Sequence, residues 1–145
     1  GSLLTSSLRK SLRPDVNNLG FVTTARDLAR FGLLMLANGH WQEKNVLADK
    51  GYIRNATSPS QKLNPSYGYL WWLNGGPFVA RGTGKKKPGR LVSAAPRDMY
   101  AAQGKLGRRL YVLPGRQLVI TRLGDQSGNS FTSGFFRRLR SASQK

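Results

Sequence analysis

The sequence predicts an α+β fold in which helices pack on an antiparallel sheet. Apolar residues recur at helical spacing near the start of the chain and again near its end. Between them lie short segments rich in β-branched and aromatic residues, separated by glycine and proline turns. Helices on either side of a run of strands are typical of the α+β class.

The first helix is predicted within Leu19–Gly39. Thr24 is the expected N-cap, with Asp27 three residues later in a capping-box arrangement. Gly39 is the expected C-cap. The apolar stripe of this helix consists of Ala25, Leu28, Ala29, Gly32, Met35 and Leu36.

The middle of the chain is predicted to alternate between turns and strands. Val46–Asn55 has the pattern of a shorter helix, Thr57–Pro65 is rich in turn residues, and Gly75–Pro88 is predicted as a glycine-rich basic loop. A closing helix is predicted at Phe131–Leu139. The predicted strands are Tyr69–Leu73, Met99–Gln103, Leu110–Leu113 and Leu118–Leu123, the last two joined by a Pro114-Gly115 turn.

Adjacent tryptophans mark the first of these strands. Successive side chains of a strand point to opposite faces, so Trp71 and Trp72 are both expected to be buried if helices cover both sides of the sheet. Together with Tyr67 and Tyr69 they could instead stack on bases. A position in the core is the alternative for these four aromatics. Asp98 is a candidate salt-bridge partner of Arg97 or Arg109, and His40 is expected at the surface.

Composition limits the kinds of functional site that the chain can contain. The 145 residues suit one domain, predicted at 19–141, with a basic extension at 1–18 and a tail at 142–145. No cysteine is present and there is one histidine, so disulfides and thiolate metal sites are excluded and no cofactor or metal is expected. No apolar run approaches the roughly 20 residues of a membrane span.

Charge is the strongest compositional feature. Lysine and arginine number 24 against 6 aspartate and glutamate residues, which gives a net charge of +18. Clustered cations attract phosphate polyanions and release their counterions. A basic surface without a dedicated partner is the alternative. The predicted RNA or partner contacts are Lys85, Lys86, Lys87, Arg108, Arg109, Arg116, Arg122, Arg137, Arg138 and Arg140.

The N-terminal extension has a composition of its own. Leu3–Pro14 is rich in serine, contains arginine and has no acidic residue. Its leucines recur at helical spacing, which is typical of a mitochondrial presequence or its remnant. The alternative is an ordinary basic amphipathic extension. Mitochondrial localisation is therefore expected, and cytoplasmic localisation if the second interpretation holds.

Four stretches, in order, resemble one enzyme family. Gly20–Trp41 (GFVTTARDLARFGLLMLANGHW), Asn64–Gly75 (NPSYGYLWWLNG), Ala95–Pro114 and Gln117–Asp125 are similar to β-lactamase-related serine hydrolases, within them to 6-aminohexanoate-dimer hydrolases and related esterases. The resemblance covers the C-terminal half of such an enzyme. It implies a partial serine-hydrolase-like fold whose sheet combines strands from both chain ends. It also implies core and pocket-wall positions, in preference to stacking on bases, for Tyr67, Tyr69, Trp71 and Trp72.

The resemblance also implies which catalytic groups to seek. The family uses a serine with a lysine one helical turn later, a tyrosine on a loop, and a Lys-x-Gly motif on a core strand. Only the third has a counterpart, in which Lys105 and Gly107 flank Leu106. Leu106 and Arg108 depart from the family pattern. The string Ser7-Leu8-Arg9-Lys10 lies too near Thr24 to be the family's nucleophile.

Two functions are compatible with these features. The first is a non-catalytic, strongly basic structural subunit derived from a serine hydrolase, binding RNA and other subunits of a ribonucleoprotein such as a mitochondrial ribosome. The alternative is the C-terminal chain or fragment of a serine amidase or esterase whose Ser-x-x-Lys and tyrosine come from another polypeptide. Both predict a partner that covers an open sheet edge. In both, the isolated chain is expected to be inactive.

Overall fold

One four-stranded antiparallel sheet with helices on both faces forms the centre of the protein, so the predicted α+β class is confirmed. A computed structural model describes residues 22–49, 51–82, 84–125, 127–128 and 130–142. The basic extension at 1–18 and its presequence-like pattern lie outside the described residues. The helices are α1 (Ala25–Leu36), α2 (Tyr52–Ala56) and α3 (Phe131–Ala142).

Within the described ranges, eight short strands form three sheets. The strands are β1 (His40–Trp41), β2 (Lys44–Asn45), β3 (Trp72–Leu73), β4 (Phe78–Ala80), β5 (Lys86–Pro88), β6 (Tyr100–Gln103), β7 (Arg109–Leu113) and β8 (Leu118–Arg122). The main sheet has the order β3-β6-β7-β8, and β1-β2 and β4-β5 are separate hairpins. The outer side of β3 bonds to the preceding chain through Leu73 N–H and the Ser66 carbonyl (2.9 Å). Strand β8 has no neighbour on its outer side among the described residues.

Helix α1 begins where the sequence predicts. Thr24 Oγ1 accepts a hydrogen bond from the Asp27 N–H (3.1 Å) and donates one to Asp27 Oδ2 (2.8 Å), so the side chain satisfies a free amide of the first turn. The helix ends at Leu36 with Ala37 as its C-cap, two residues before the predicted Gly39. Gly39 lies beyond the cap at φ +84°, and its N–H bonds to the Leu34 carbonyl.

The two faces of the main sheet carry separate apolar clusters. Helices α1 and α2 cover one face, where Met35 and Ile53 pack with Tyr100 and Leu110. Helix α3 covers the other face. Its cluster contains Phe136, Met99, Ala101, Tyr111 and Leu113. On the first face Gly32 lets α1 approach the sheet, because a Cβ there would lie 2.5 Å from Val119 Cγ1.

The adjacent tryptophans point to opposite faces, as predicted. Trp71 is 5% exposed and lies on the α1 face, stacked on Phe31 and edge-on to Tyr100. Trp72 is only half-buried on the α3 face, where its ring meets Tyr67 edge-on. The prediction that both tryptophans are buried is thus confirmed for Trp71 and only in part for Trp72.

Two predicted elements are much shorter in the structure. The helix predicted at Val46–Asn55 is reduced to α2, because the N–H groups of Val46 and Leu47 bond to the Gly39 carbonyl instead of forming a helical turn. The strand predicted at Tyr69–Leu73 is reduced to β3. Leu70 adopts φ +63° and breaks the extended backbone before Trp71.

The prediction of a loop at Gly75–Pro88 is wrong, because the segment contains the hairpin β4–β5. Two buried polar side chains from an earlier part of the chain, Asn64 and Ser66, hold strand β4 of this hairpin in place. Asn64 donates to the Ala80 carbonyl (2.8 Å) and accepts from the Ala80 N–H (3.1 Å), and Ser66 Oγ donates to the Phe78 carbonyl (2.6 Å). These bonds replace the second neighbouring strand that β4 lacks.

Candidate nucleic-acid interface

Two arginines face each other across strands β7 and β8 at one end of the main sheet. Arg109 pairs in register with Arg122, and both lie on the α3 face, in the same side-chain row as Gln103. Like charges directly opposite each other destabilise a sheet. No carboxylate separates them in the described structure.

Neutral groups hold both guanidinium groups. Arg109 Nη1 donates to the carbonyls of Gly104 (2.9 Å) and Arg108 (2.8 Å). Arg122 Nη1 donates to the Gly107 carbonyl (2.7 Å), and its guanidinium lies 5.3 Å from the ring centre of Phe131 on α3. Carbonyls and a ring fix the positions of these side chains without neutralising their charge.

The Lys105-Leu106-Gly107 motif forms the turn between β6 and β7. Lys105, Leu106 and Arg108 are all exposed there, and Leu106 and Gly107 adopt φ +60° and +78°. The resemblance implied a core strand for Lys105, and the structure instead places it in a 3-10 turn at the surface. A lysine in such a turn is in contact with solvent.

Hairpin β4–β5 adds further cations beside this end of the sheet. The Arg81 guanidinium lies 5.4 Å from the ring centre of Trp72, and the Lys86 ammonium lies 4.9 Å from that of Phe78. Lys85 and Lys87 are exposed and have no side-chain partner among the described residues. The hairpin therefore places Lys86 and Lys87 on a paired strand, where the sequence predicted a glycine-rich loop.

A cleft of about 540 Å³ lies between the hairpin, the sheet end and the start of α3. Arg81, Lys87 and Arg109 line it together with hydroxyl groups of α3. A second recess of about 400 Å³ lies at the other end of α3 and is lined by Arg90, Arg116 and Arg140, with Asp98. Between the two recesses, Arg137 and Arg138 are exposed on α3. The α3 side of the molecule is thus basic along its length.

Two described carboxylate residues lie on the basic side: Asp98 lines the second recess, and the backbone carbonyl of Asp125 accepts a hydrogen bond from Arg122. Asp27 pairs with Arg30 on α1, and the Thr24 hydroxyl and the Arg30 guanidinium hold the pKa of Asp27 below its ordinary value. Asp98 accepts a hydrogen bond from the Gly115 N–H (2.6 Å). It forms no ion pair with Arg97 or Arg109, so that prediction is wrong. The Asp98 carboxylate bonds instead to the backbone of the Pro114–Arg116 turn.

The tyrosine with a perturbed pKa offers no general base. Tyr100 is buried in the α1-side cluster, and burial raises its pKa to about 12, so its phenol stays protonated at neutral pH. Tyr69 is 49% exposed and lies outside both apolar clusters. No constellation of nucleophile and base is seen among the described residues around Lys105.

Comparison with protein-family models and with curated protein sequences finds no match. None of the helices in the described part of the chain is long and apolar enough to cross a membrane.

Sequence reasoning missed four groups of the interface: Arg81, Arg90, Gln103 and the hydroxyls of Thr132 and Ser133. Arg81 could have been found, because the Phe78–Ala80 apolar run followed by Gly82 has the form of a strand and its turn. The hydroxyls gave no signal, since serine and threonine at a helix start are ordinary.

Proposed function

We propose that this protein is a non-catalytic, basic subunit that binds RNA within a ribonucleoprotein, with the α3 side as its contact surface. The mitochondrial ribosome is the assembly that suits a presequence-like N-terminal extension. Descent from a serine hydrolase, which the four resembling stretches suggest, is part of this proposal. The observation that carries it is the gathering of cations without carboxylate partners on one side of the sheet.

That observation combines residues far apart in sequence. The named cations of the α3 side other than Arg116 have no carboxylate partner among the described residues. Unpaired, solvated cations repel one another, and a polyanion offsets that repulsion while releasing its own counterions. Few aromatic rings are exposed on this side, which favours contacts to phosphate over stacking on bases.

Salt dependence tests the proposal directly. We expect a single-stranded RNA to bind with an affinity that falls steeply as salt rises, with a log–log slope of about −0.7 for each neutralised phosphate. For roughly five contacts the slope is about −3.5. Unrelated sequences of equal length should bind alike. Fluorescence anisotropy at several salt concentrations measures both quantities.

A matched pair of charge-reversal variants separates the contact surface from net charge. Arg137→Glu/Arg138→Glu alters the α3 side, whereas Arg26→Glu/Arg54→Glu makes the same change on helices of the opposite face. The first variant should lose RNA affinity and reduce the salt slope by about 1–2, while the second keeps both nearly unchanged. Equal losses in the two variants, or a wild-type affinity insensitive to salt, would contradict the proposal.

A second candidate function is supported by the open edge of β8. In this alternative the chain is the C-terminal part of a serine amidase or esterase, and another polypeptide supplies Ser-x-x-Lys, the tyrosine and a strand beside β8. The described residues leave the outer backbone groups of β8 without a neighbouring strand, and such an edge is a template for pairing. The first proposal also needs a partner at this edge.

Activity assays distinguish the candidates. We expect the isolated chain to leave a chromogenic ester intact and to remain unlabelled by a fluorophosphonate probe, because no described serine has a basic partner. Stoichiometric labelling of Ser7 that Lys10→Ala abolishes would show that the chain has its own nucleophile. Recovery of esterase activity with a co-purified Ser-x-x-Lys polypeptide, lost in Lys105→Ala, would establish the second candidate.

A further inference from the structure

We propose that the cleft between hairpin β4–β5, the end of the main sheet and α3 is a binding site for one phosphate group, held by Arg81, Lys87 and Arg109 with the hydroxyls of Thr132 and Ser133. This inference deepens the proposed function and rests on it only for the source of the phosphate. Nothing in the sequence brings these five residues together. Their juxtaposition is a product of the tertiary structure.

The composition of the cleft wall matches an anion. Three cationic side chains from two elements line it, and no aspartate or glutamate is among its described lining residues. Tyr111, Thr132, Ser133 and Ser127 add hydroxyl groups and Gln103 adds an amide. These groups can all donate hydrogen bonds. A wall of donors with positive charge stabilises an anion that accepts several bonds at once.

Several of these donors are unused. Arg109 makes its two hydrogen bonds through Nη1 alone, which leaves the remaining N–H groups of its guanidinium without a described acceptor. The Lys87 side chain makes no hydrogen bond or ion pair with any described residue, although its backbone pairs with Val79 in the hairpin. The Arg81 guanidinium lies over the ring of Trp72. This contact with the ring face leaves the N–H groups of Arg81 available as hydrogen-bond donors. Arg81 and Arg109 are therefore held in place with donors to spare, and the Lys87 ammonium keeps all of its donors.

Charge favours phosphate over carboxylate. Arg122 stands directly opposite Arg109, and neither guanidinium forms an ion pair with a described carboxylate, so like charges face each other at the sheet end. A phosphate monoester brings a charge near −2 and three terminal oxygens, whereas a carboxylate or an internal phosphodiester brings −1 and two oxygens. The larger charge and the additional acceptors fit three cations and several hydroxyls. Binding should also stabilise the fold, because a ligand that binds only the native state raises its stability.

Neighbouring lysines of β5 provide a matched test. Lys87 lies in the cleft wall, whereas Lys86 points to the opposite side of the hairpin and contacts Phe78. At constant ionic strength, inorganic phosphate should raise the melting temperature of the wild type and of Lys86→Gln. In Lys87→Gln the apparent affinity should fall about tenfold, the effect of losing one charge-assisted contact. Arg109→Gln should lose at least as much and still fold, since it removes a like-charge pair.

Two oligonucleotides of one sequence, one with a 5′-phosphate and one with a 5′-hydroxyl, identify the source of the phosphate. If the cleft holds a terminal phosphate, the phosphorylated RNA binds more tightly to the wild type, and Lys87→Gln removes the difference. If it holds an internal phosphodiester, Lys87→Gln weakens both RNAs equally and more than Lys86→Gln does. Either result supports the cleft as a phosphate site.

The two proposals fail separately. If the wild type binds RNA and the Lys86 and Lys87 variants behave alike with inorganic phosphate and both RNAs, the cleft is not a phosphate site although the proposed function stands. If the wild type binds no RNA but binds inorganic phosphate in a manner that Lys87→Gln weakens, the cleft inference holds and the proposed function is overturned.

Discussion

Replacing Trp71 with alanine is expected to lower the free energy of unfolding by roughly 3–5 kcal/mol. The side chain is 5% exposed and packs between Phe31, at a ring distance of 6.0 Å, and Tyr100, at 5.1 Å. Its removal leaves a cavity between α1 and the sheet. That loss is a large share of the stability of a small domain, and denaturant unfolding monitored by circular dichroism measures it.

The same variant should keep its RNA affinity per folded molecule, because Trp71 lies on the α1 face, away from the basic side. Tyr69→Ala is the matched control. This aromatic residue is 49% exposed, two positions earlier, and its loss should change stability by no more than about 0.5 kcal/mol. A Trp71→Ala protein that stays as stable as the wild type but no longer binds RNA would mean that the strand is a stacking platform.

Trp72 differs from Trp71 both in its burial and in its contact with the cleft. It is half-buried, and its ring supports the Arg81 guanidinium at the cleft. Removing it should therefore reduce stability less than removing Trp71 and also weaken phosphate binding. The sequence alone predicted the same response for both tryptophans.

The second large effect is expected from Asn74→Asp, which should lower the free energy of unfolding by about 3–5 kcal/mol. Asn74 is fully buried. Its Nδ2 donates to the carbonyls of Val92 (3.1 Å), Ala95 (3.2 Å) and Pro96 (2.7 Å), and its Oδ1 accepts from the Val92 N–H (2.8 Å). Aspartate has the same shape but, when ionised, no donor, so a buried carboxylate would face three carbonyl oxygens.

The pH dependence of the stability loss in Asn74→Asp shows whether the buried charge causes it. Burial raises the pKa of such a carboxyl above its unfolded value of about 3.9, so the destabilisation is full at neutral pH and shrinks as pH falls toward 4. Unfolding curves at a series of pH values test this sign. Asn45→Asp, at an exposed position in β2, should change stability by less than about 0.5 kcal/mol at every pH. A deficit in Asn74→Asp that does not vary with pH would point to a packing defect instead.

Local patterns determined much of the fold. Thr24 and Asp27 lie within one helical turn, so the start of α1 depends on four consecutive residues. Strands β6, β7 and β8 follow one another with short turns, and their antiparallel pairing needs no distant partner. The opposite orientation of Trp71 and Trp72 follows from strand geometry alone. Composition likewise determined the excess positive charge.

Elements whose hydrogen bonds go to distant residues could not be predicted in this way. The hairpin β4–β5 depends on Asn64 and Ser66, which bond to Ala80 and Phe78. The helix predicted at Val46–Asn55 lost its first turns because Val46 and Leu47 bond back to Gly39. Local propensity is a weak prior when the backbone finds better partners elsewhere.

The sequence by itself determined that the protein is an α+β domain with a large unbalanced positive charge, because periodicity and composition are local properties. Only the tertiary structure decided where that charge acts. The register of β7 and β8 places Arg109 against Arg122, and the folding of the hairpin brings Arg81 and Lys87 to the same cleft. Such a site depends on distances between residues far apart in the chain, and these are set by packing around the shared apolar core.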